Sequence, residues 1–87
     1  MPGVSRVGTD LAGGVIGGPG AGTVRINGSA CSLLGDSVTP HGVAPHAGAS
    51  MAAASSTVFA EGGRVVRSGD LASCGHAATG SSNVFAN

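Results

Sequence analysis

Large aromatic side chains are nearly absent from this 87-residue chain, which has no Trp, no Tyr and only Phe59 and Phe85. Its 17 glycines and many alanines supply little buried area per residue, so the core must consist of thin layers of small side chains. A domain of this size gains limited stability from such a core. We therefore expect one domain, which a bound metal ion would help to stabilise.

Charged residues are also scarce, and none of them is lysine: four arginines balance three aspartates and one glutamate. A formal net charge of zero lacks the basic field that nucleic-acid binding needs, so we expect no nucleic-acid partner. The chain has no apolar run of about 18 residues that would span a membrane, and no secretory signal peptide. These absences predict a soluble protein that is made in the cytoplasm.

All three histidines fall in two short clusters, and a cysteine completes the second. His41 and His46 form an H-x4-H pair, while Cys74 and His76 form a C-x-H pair. Two prolines and a glycine favour a bent loop around the first pair, and Gly75 favours a turn in the second. Zinc accepts nitrogen and sulfur ligands, four of them in structural sites. The four residues therefore predict one structural zinc ion that joins two loops.

Two other interpretations stay open at this point. The histidines could be ordinary surface residues beside an unremarkable cysteine. Alternatively, Cys31 and Cys74 could form a disulfide, which explains the even cysteine count but leaves the histidine clustering unexplained. We rank zinc above both interpretations, and we expect Cys31 to be a small buried thiol on a strand.

Self-similarity divides the chain into three copies of one unit, at roughly residues 1–28, 29–63 and 64–87 of a single domain. Each copy opens with a short apolar strand that ends in Gly and Asp, crosses a stretch rich in Gly, Ser and Ala, and returns on a second strand. The ligand pairs fall in equivalent loops of the second and third copies. This places the zinc ion at an apex where the copies converge.

The returning strands carry the clearest β signal. Val24 and Ile26 alternate with polar residues, which is the period of a half-buried strand, and Asn27-Gly28 and Gly62-Gly63 are tight-turn dipeptides. The sequence therefore predicts a mainly β fold of three hairpin or meander units. Residues 13–22 are interpreted as a flexible crossing, and the alanines of 47–56 suggest a short helical turn.

The acidic residues are interpreted as structural. Asp36 and Asp70 directly follow the glycine of a repeated turn, and Asp10 follows Gly8 after the inserted Thr9; at these positions capping suits the aspartates better than acid/base chemistry. Glu61 is expected on the solvated surface. The arginines are expected on a wet face, with a possible second role in gripping carboxylates of a partner; they are Arg6, Arg25, Arg64 and Arg67.

These repeats and the ligand pattern resemble the PAAR-repeat family, whose units open with a Pro-Ala-Ala-Arg motif before Val-Gly-Asp. The likeness covers essentially the whole chain. The motif positions are held by Arg6-Val7-Gly8, Leu34-Gly35-Asp36 and Arg67-Ser68-Gly69-Asp70. Asn27-Gly28 and the Val-Phe endings stand where the family ends its units, and Leu33 stands where the other copies have arginine.

The resemblance implies a small β-rich cone of pseudo-threefold shape with a zinc-closed apex, the zinc being held by His41, His46, Cys74 and His76. It implies a structural tip, not an enzyme. Such a tip caps and sharpens the trimeric β-helical spike, of the valine-glycine-repeat type, of a type VI secretion system, or the spike of a contractile phage tail. It aids membrane puncture, and its contact with the target membrane is transient.

Further expectations follow from that role. The protein would reside in the bacterial cytoplasm before assembly and then travel outward on the spike, or sit at the tail tip of a phage virion. Any effector would be a separate chain. The alternative function is a stand-alone zinc-binding module or small zinc hydrolase, which requires an exchangeable water on the metal.

Overall fold

The computed structural model describes residues 2–40 and 48–86, and its regular secondary structure is entirely β in this part of the chain. The predicted mainly β fold is confirmed. No helix in the described residues is long and apolar enough to cross a membrane. Seven short strands occur in the described residues, in the order β1 (Leu11–Ala12), β2 (Gly14–Gly18), β3 (Ala21–Ile26), β4 (Ser29–Cys31), β5 (Ser37–Val38), β6 (Phe59–Ala60) and β7 (Gly63–Arg64).

The strands form three small antiparallel sheets, with the order β1-β2-β5 in one and the pairs β3-β4 and β6-β7 in the others. Strand β2 corrects the prediction of a flexible crossing, because it pairs on both sides: Leu11 lies opposite Val15, and Ile16 opposite Val38. Ile16 is fully buried. Burial of this one large side chain fixes a segment whose glycines suggest mobility.

Two tight turns join paired strands. Asn27 and Gly28 connect β3 to β4 with φ angles of 54° and 88°, which confirms the predicted turn. The turn between β6 and β7 lies one residue earlier than predicted, at Glu61 and Gly62, with φ angles of 50° and 81°. Both turns have the two left-handed residues of a type I′ hairpin. Gly63 is therefore the first residue of β7 and not part of the turn. Glu61 takes the place in this turn that Asn27 takes in the first.

Three buried segments are joined in a closed ring of backbone hydrogen bonds. The amide of Ser5 donates to the carbonyl of Val66 (2.9 Å), that of Val66 to Ser32 (2.9 Å), and that of Ser32 to Ser5 (3.0 Å). All three residues are fully buried. Each of these amides and carbonyls is therefore paired away from water, and each segment depends on both of the others.

The core consists of two clusters of small side chains, as the composition predicts. The first contains Ala12, Ile16, Val38, Ala49, Met51, Ala54, Val66, Ala72 and Ala78, and Cys74 packs against it. The second contains Val4, Ala21, Ile26, Cys31, Ala60, Val65 and Ala86. Three half-buried valines at equivalent positions of the predicted repeats pack against the second cluster; they are Val24, Val58 and Val84.

The two phenylalanines do not contribute to this core. Phe59 and Phe85 are 58% and 49% exposed, because each lies between a half-buried valine and a buried alanine and is directed outward. Cys31 is buried in the second cluster, as predicted, while Cys74 packs on the first, and no disulfide joins the two. The disulfide alternative is therefore not formed.

The alanine-rich segment is not helical over residues 48–56, so the suggested helical turn is not formed there. Its amides bond to a neighbouring segment, since Ala52 and Ala53 both donate to the carbonyl of Leu71 at 3.1 and 3.2 Å. Met51 also bridges to Ala72 and is almost fully buried. Burial of methionine and pairing across the chain thus override the helix propensity of alanine.

Candidate metal centre

Cys74 and His76 lie in a narrow turn at the edge of the first core cluster. The amide of Ala72 donates to the carbonyl of His76 (2.9 Å), and the amide of Gly75 donates to the carbonyl of Ala72 (2.9 Å). Gly75 has a φ of 91°, which confirms the predicted glycine turn. Cys74 is half-buried against the core and His76 is exposed.

The other two predicted ligands, His41 and His46, lie outside the described residues. The residues on either side of their segment are described, and they bond to each other. The amide of Val38 donates to the carbonyl of Ala49 (2.9 Å), and Ser37 bridges to Ser50. Residues 38 and 49 therefore form the base of one loop.

The base of this loop also contacts the cysteine turn. The amide of Ser73 donates to the carbonyl of Ser50 (2.7 Å), and the amide of Ser50 donates to the hydroxyl of Ser73 (3.0 Å). Ser73 directly precedes Cys74. The two loops that carry the predicted ligand pairs are thus bonded to each other at their bases.

The described ligands alone do not form a complete metal site. Across residues 2–40 and 48–86, no group of three or more His, Cys, Asp or Glu side chains is close enough to hold a metal ion. Cys74 and His76 would supply one sulfur and one nitrogen, which are the donors that zinc accepts. A tetrahedral site needs two more ligands, and the loop bonded at Ser50 carries two histidines.

Buried carboxylates organise the turns beneath this region. Asp10 accepts four hydrogen bonds, from the Arg6 amide (2.8 Å), Arg6 Nε (2.7 Å), Arg6 Nη2 (3.1 Å) and the Thr79 hydroxyl (2.8 Å). Asp70 accepts three from Arg67, from its amide (2.8 Å), Nε (3.0 Å) and Nη2 (2.9 Å). The two aspartates cap turns, as predicted. In each turn the capped backbone amide belongs to the arginine that precedes the aspartate.

These contacts correct the prediction for two arginines. Arg6 and Arg67 form partly buried ion pairs with Asp10 and Asp70 in their own turns. Their guanidinium groups are therefore engaged within the chain and are not a wet face offered to a partner. Arg64 is also engaged, because its Nε and Nη2 donate to the carbonyls of residues 55 and 54 at 2.8 and 3.1 Å.

Asp36 has no arginine in its own turn, because Leu33 stands where the other two turns have Arg6 and Arg67, and it accepts hydrogen bonds from other donors. It accepts from the amide of Leu33 (2.8 Å), the hydroxyl of Ser32 (3.2 Å) and the amide of Gly20 (3.2 Å). Leu33 packs instead against Gly63, where a Cβ atom would lie 2.9 Å from Leu33 Cδ1. The second turn therefore keeps the cap while an apolar contact takes the place of the ion pair.

The local environment shifts the pKa values of Asp10, Arg6 and Cys31 in different directions. Burial would raise the pKa of Asp10, but the hydrogen bonds from Arg6 and Thr79 outweigh it and leave that pKa below its ordinary value. The bond to Asp10 raises the pKa of Arg6. Burial, together with the charge of Asp36, raises the pKa of the Cys31 thiol to about 11. Cys31 is thus a neutral thiol near neutral pH.

Two polar contacts join separate strands around the second core cluster, and sequence reasoning did not identify them. Glu61 accepts hydrogen bonds from the amide of Thr23 (2.6 Å) and from its hydroxyl, which lowers the pKa of Glu61. The Asn27 amide donates to the hydroxyl of Ser81 and to Asn83 Oδ1, both at 2.9 Å. Asn27 and Glu61 occupy equivalent positions in the predicted repeats, and this equivalence could have indicated that both side chains make similar contacts.

The fold and the candidate site define a small β protein with aspartate-capped turns at Asp10, Asp36 and Asp70 and two neighbouring loops that carry the predicted ligands. The model of the PAAR motif family matches residues 8–79, which is most of the chain. The chain therefore belongs to the PAAR motif family. A search of curated proteins finds no match.

Proposed function

We propose that this protein is the structural tip of a contractile injection apparatus, which caps the trimeric spike of a type VI secretion system or of a phage tail. Membership of the PAAR motif family is the observation that carries this proposal. A tip of this kind must match three identical spike subunits with a single chain. Internal repetition is a physical solution to that problem.

The hydrogen-bond pattern supports a pseudo-threefold arrangement. Ser5, Ser32 and Val66 bond to one another in a cycle, and each lies just before an aspartate-capped turn. The glycines of those turns donate in equivalent ways at 2.8–2.9 Å: Gly8 to Ile16, Gly35 to Met51 and Gly69 to Ala78. Three units that bond alike favour a body with three similar sides, and a cone with the metal at its point is the shape we propose.

The spike would bind at the end of the molecule that holds the second core cluster. Val24, Val58 and Val84 are half-buried there at equivalent repeat positions, so each offers the same apolar surface. A threefold spike end would meet three similar valine contacts. We call these three residues the valine face, and its contact with the spike would bury apolar area that each partner otherwise exposes to water.

The opposite end would be closed by one structural zinc ion, held by His41, His46, Cys74 and His76. The contacts between Ser50 and Ser73 support this assignment, because they join the two ligand-bearing loops next to Cys74. Four protein ligands leave no open position on a tetrahedral ion. The metal would therefore brace the point mechanically, and its binding energy would add to the folding energy of a small core.

Binding to a cognate trimeric spike tests the function. We expect light scattering to show one chain bound to three spike subunits. Val58→Asp should abolish this complex, whereas Leu71→Asp should not, because Leu71 is exposed beside the first cluster. Thermal melting of both variants controls for loss of fold. A wild-type protein that does not bind the spike would contradict the proposal, and loss of binding in both variants would contradict the valine face.

Metal content and spectroscopy test the closed apex. We expect one zinc per chain and, after cobalt substitution, a spectrum typical of four protein ligands. Three ligands and a water molecule would give a different spectrum and would favour the zinc hydrolase alternative.

A further inference from the structure

We propose that Asn27-Gly28 is a site of spontaneous deamidation, and that the contact of the Asn27 amide with Ser81 and Asn83 controls its rate. The reaction needs an asparagine followed by a residue whose backbone nitrogen can approach the side-chain carbonyl carbon. Asn27 is the only asparagine in the chain that precedes glycine. This inference stands apart from the proposed spike-tip function.

The turn leaves the attacking group accessible. Asn27 and Gly28 are both exposed at the tip of the β3–β4 hairpin. A Cβ atom on Gly28 would meet nothing within 4 Å, so neighbouring groups do not crowd this position. Within the described residues, the Gly28 amide donates no hydrogen bond, whereas its carbonyl accepts one from Arg25 Nη1 at 3.3 Å. The Gly28 nitrogen is thus open to solvent base.

The chemistry needs only water. The Gly28 nitrogen loses its proton to solvent and forms a bond to Asn27 Cγ, while the bond from Cγ to Nδ2 breaks and the leaving nitrogen takes a proton from solvent and departs as ammonia. This closes a five-membered succinimide. Water then adds to either carbonyl carbon of the ring and opens it, which produces aspartate or isoaspartate at position 27. The net change is the gain of one water molecule and the loss of one ammonia molecule.

The leaving amide is held in the folded protein. Asn27 Nδ2 donates to Ser81 Oγ and to Asn83 Oδ1, both at 2.9 Å. Ser81 is buried, and its hydroxyl is itself fixed by the amides of Asn83 (3.2 Å) and Val84 (3.1 Å). The Asn27 side chain must leave these acceptors before Cγ can turn towards Gly28. The folded state therefore slows the reaction.

The product would not restore this contact. A carboxylate at position 27 has no hydrogen to donate, and it would face Asn83 Oδ1, which is also an acceptor. The hydroxyl of Ser81 already donates to that same oxygen at 2.8 Å. Isoaspartate would also lengthen the backbone within a two-residue turn. Modification would therefore separate the β3–β4 hairpin from the segment at 81–84, and the change would be irreversible without repair.

The chain contains its own chemical control. Asn83 is exposed like Asn27, but Val84 follows it, and the branched side chain shields the attacking nitrogen. Asn83 should therefore remain unmodified under conditions that convert Asn27. The same peptide map reports both positions.

Peptide mapping of the full chain by mass spectrometry, with and without urea at mildly alkaline pH, tests the proposal. We expect conversion at Asn27 alone, with both aspartate and isoaspartate products, and at least about tenfold faster in urea. Asn83→Ala should speed conversion of the folded protein about fivefold, which corresponds to ~1 kcal/mol for one lost hydrogen bond. Asn83→Asp keeps the acceptor oxygen and should match the wild type.

The contrary results are equally specific. No conversion of Asn27 in urea, or equal conversion of Asn83, would overturn the site. Equal rates in the folded and unfolded wild type would overturn control by the contact, as would an Asn83→Ala rate equal to that of Asn83→Asp. The urea comparison uses the wild-type chain and does not depend on the fold of any variant.

Discussion

Replacement of Asp10 by alanine should destabilise the protein more than the same change at Asp70. Both aspartates accept three hydrogen bonds from an arginine in their own turn, but Asp10 also accepts one from the Thr79 hydroxyl at 2.8 Å. The two side chains are 5% and 11% exposed. They form a matched pair that differs mainly in one hydrogen bond.

The expected magnitude follows from these contacts. Loss of either carboxylate leaves an arginine amide without its acceptor and a guanidinium without its counter-charge. Removal of one partner from a fully buried ion pair typically lowers the free energy of unfolding by about 3–5 kcal/mol. Arg6 and Arg67 are 19% and 23% exposed, so water recovers part of this loss. We expect ~2 kcal/mol for Asp70→Ala and ~3 kcal/mol for Asp10→Ala, because the Thr79 hydrogen bond adds ~1 kcal/mol.

Urea unfolding followed by circular dichroism is the appropriate assay, since the chain has no Trp or Tyr to report by fluorescence. In a Thr79→Val background the two aspartate variants should become equal within about 0.5 kcal/mol. An Asp70→Ala variant that loses as much stability as Asp10→Ala would refute the reasoning.

The pKa of Asp10 adds a pH dependence to the same comparison. Its folded-state pKa lies below the ordinary value, so the carboxylate stabilises the folded state at neutral pH. This stabilisation is present above the unfolded-state pKa of about 3.9 and is lost as the pH falls through the lower folded-state value. The stability of the wild type should therefore fall below about pH 4, and Asp10→Ala should lack this part of the loss.

Three further predictions concern the metal, the thiols and the exposed aromatic residues. His41→Ala and Cys74→Ser should lower the melting temperature strongly and abolish zinc binding, whereas Cys31→Ser should retain the metal; equal effects from all three would contradict the ligand assignment. After chelation, an alkylating reagent at pH 8 should label Cys74 much faster than Cys31, whose pKa is raised to about 11, as peptide mapping would show. Phe59→Ser should change the free energy of unfolding by less than about 0.5 kcal/mol and Ile16→Ala should cost ~3 kcal/mol, and the reverse order in urea unfolding would contradict the core described above.

Local sequence signals predicted those features that depend on a few neighbouring residues. The alternation of Val24 and Ile26 predicted a half-buried strand, and both side chains pack on the second cluster. Asn27-Gly28 predicted its turn because both residues tolerate a positive φ. Cys31 and the three aspartates were also interpreted correctly. A small thiol among apolar residues is typically buried, and an aspartate that comes after the glycine of a turn typically caps that turn.

Features that depend on distant partners were not predictable in the same way. The sequence predicted that Arg6 and Arg67 face solvent, because it does not show that the backbone turn places each of them beside its aspartate. The glycines of β2 suggested mobility, because nothing local shows that Ile16 would be buried between two strands. The bond between Ser50 and Ser73 joins residues 23 positions apart. His41 and His46 lie outside the described residues, so the four-ligand site remains a prediction.

The cycle of Ser5, Ser32 and Val66 has a consequence for how the protein folds. Its three bonds join residues that are distant in sequence, and removal of any one segment leaves a buried amide and a buried carbonyl unpaired in the other two. We therefore expect a chain that lacks one of the three segments to be unstable. Folding should be all-or-none and slow for so small a protein, because two of the three bonds in the cycle need the segment of Val66, which lies far along the chain from its partners.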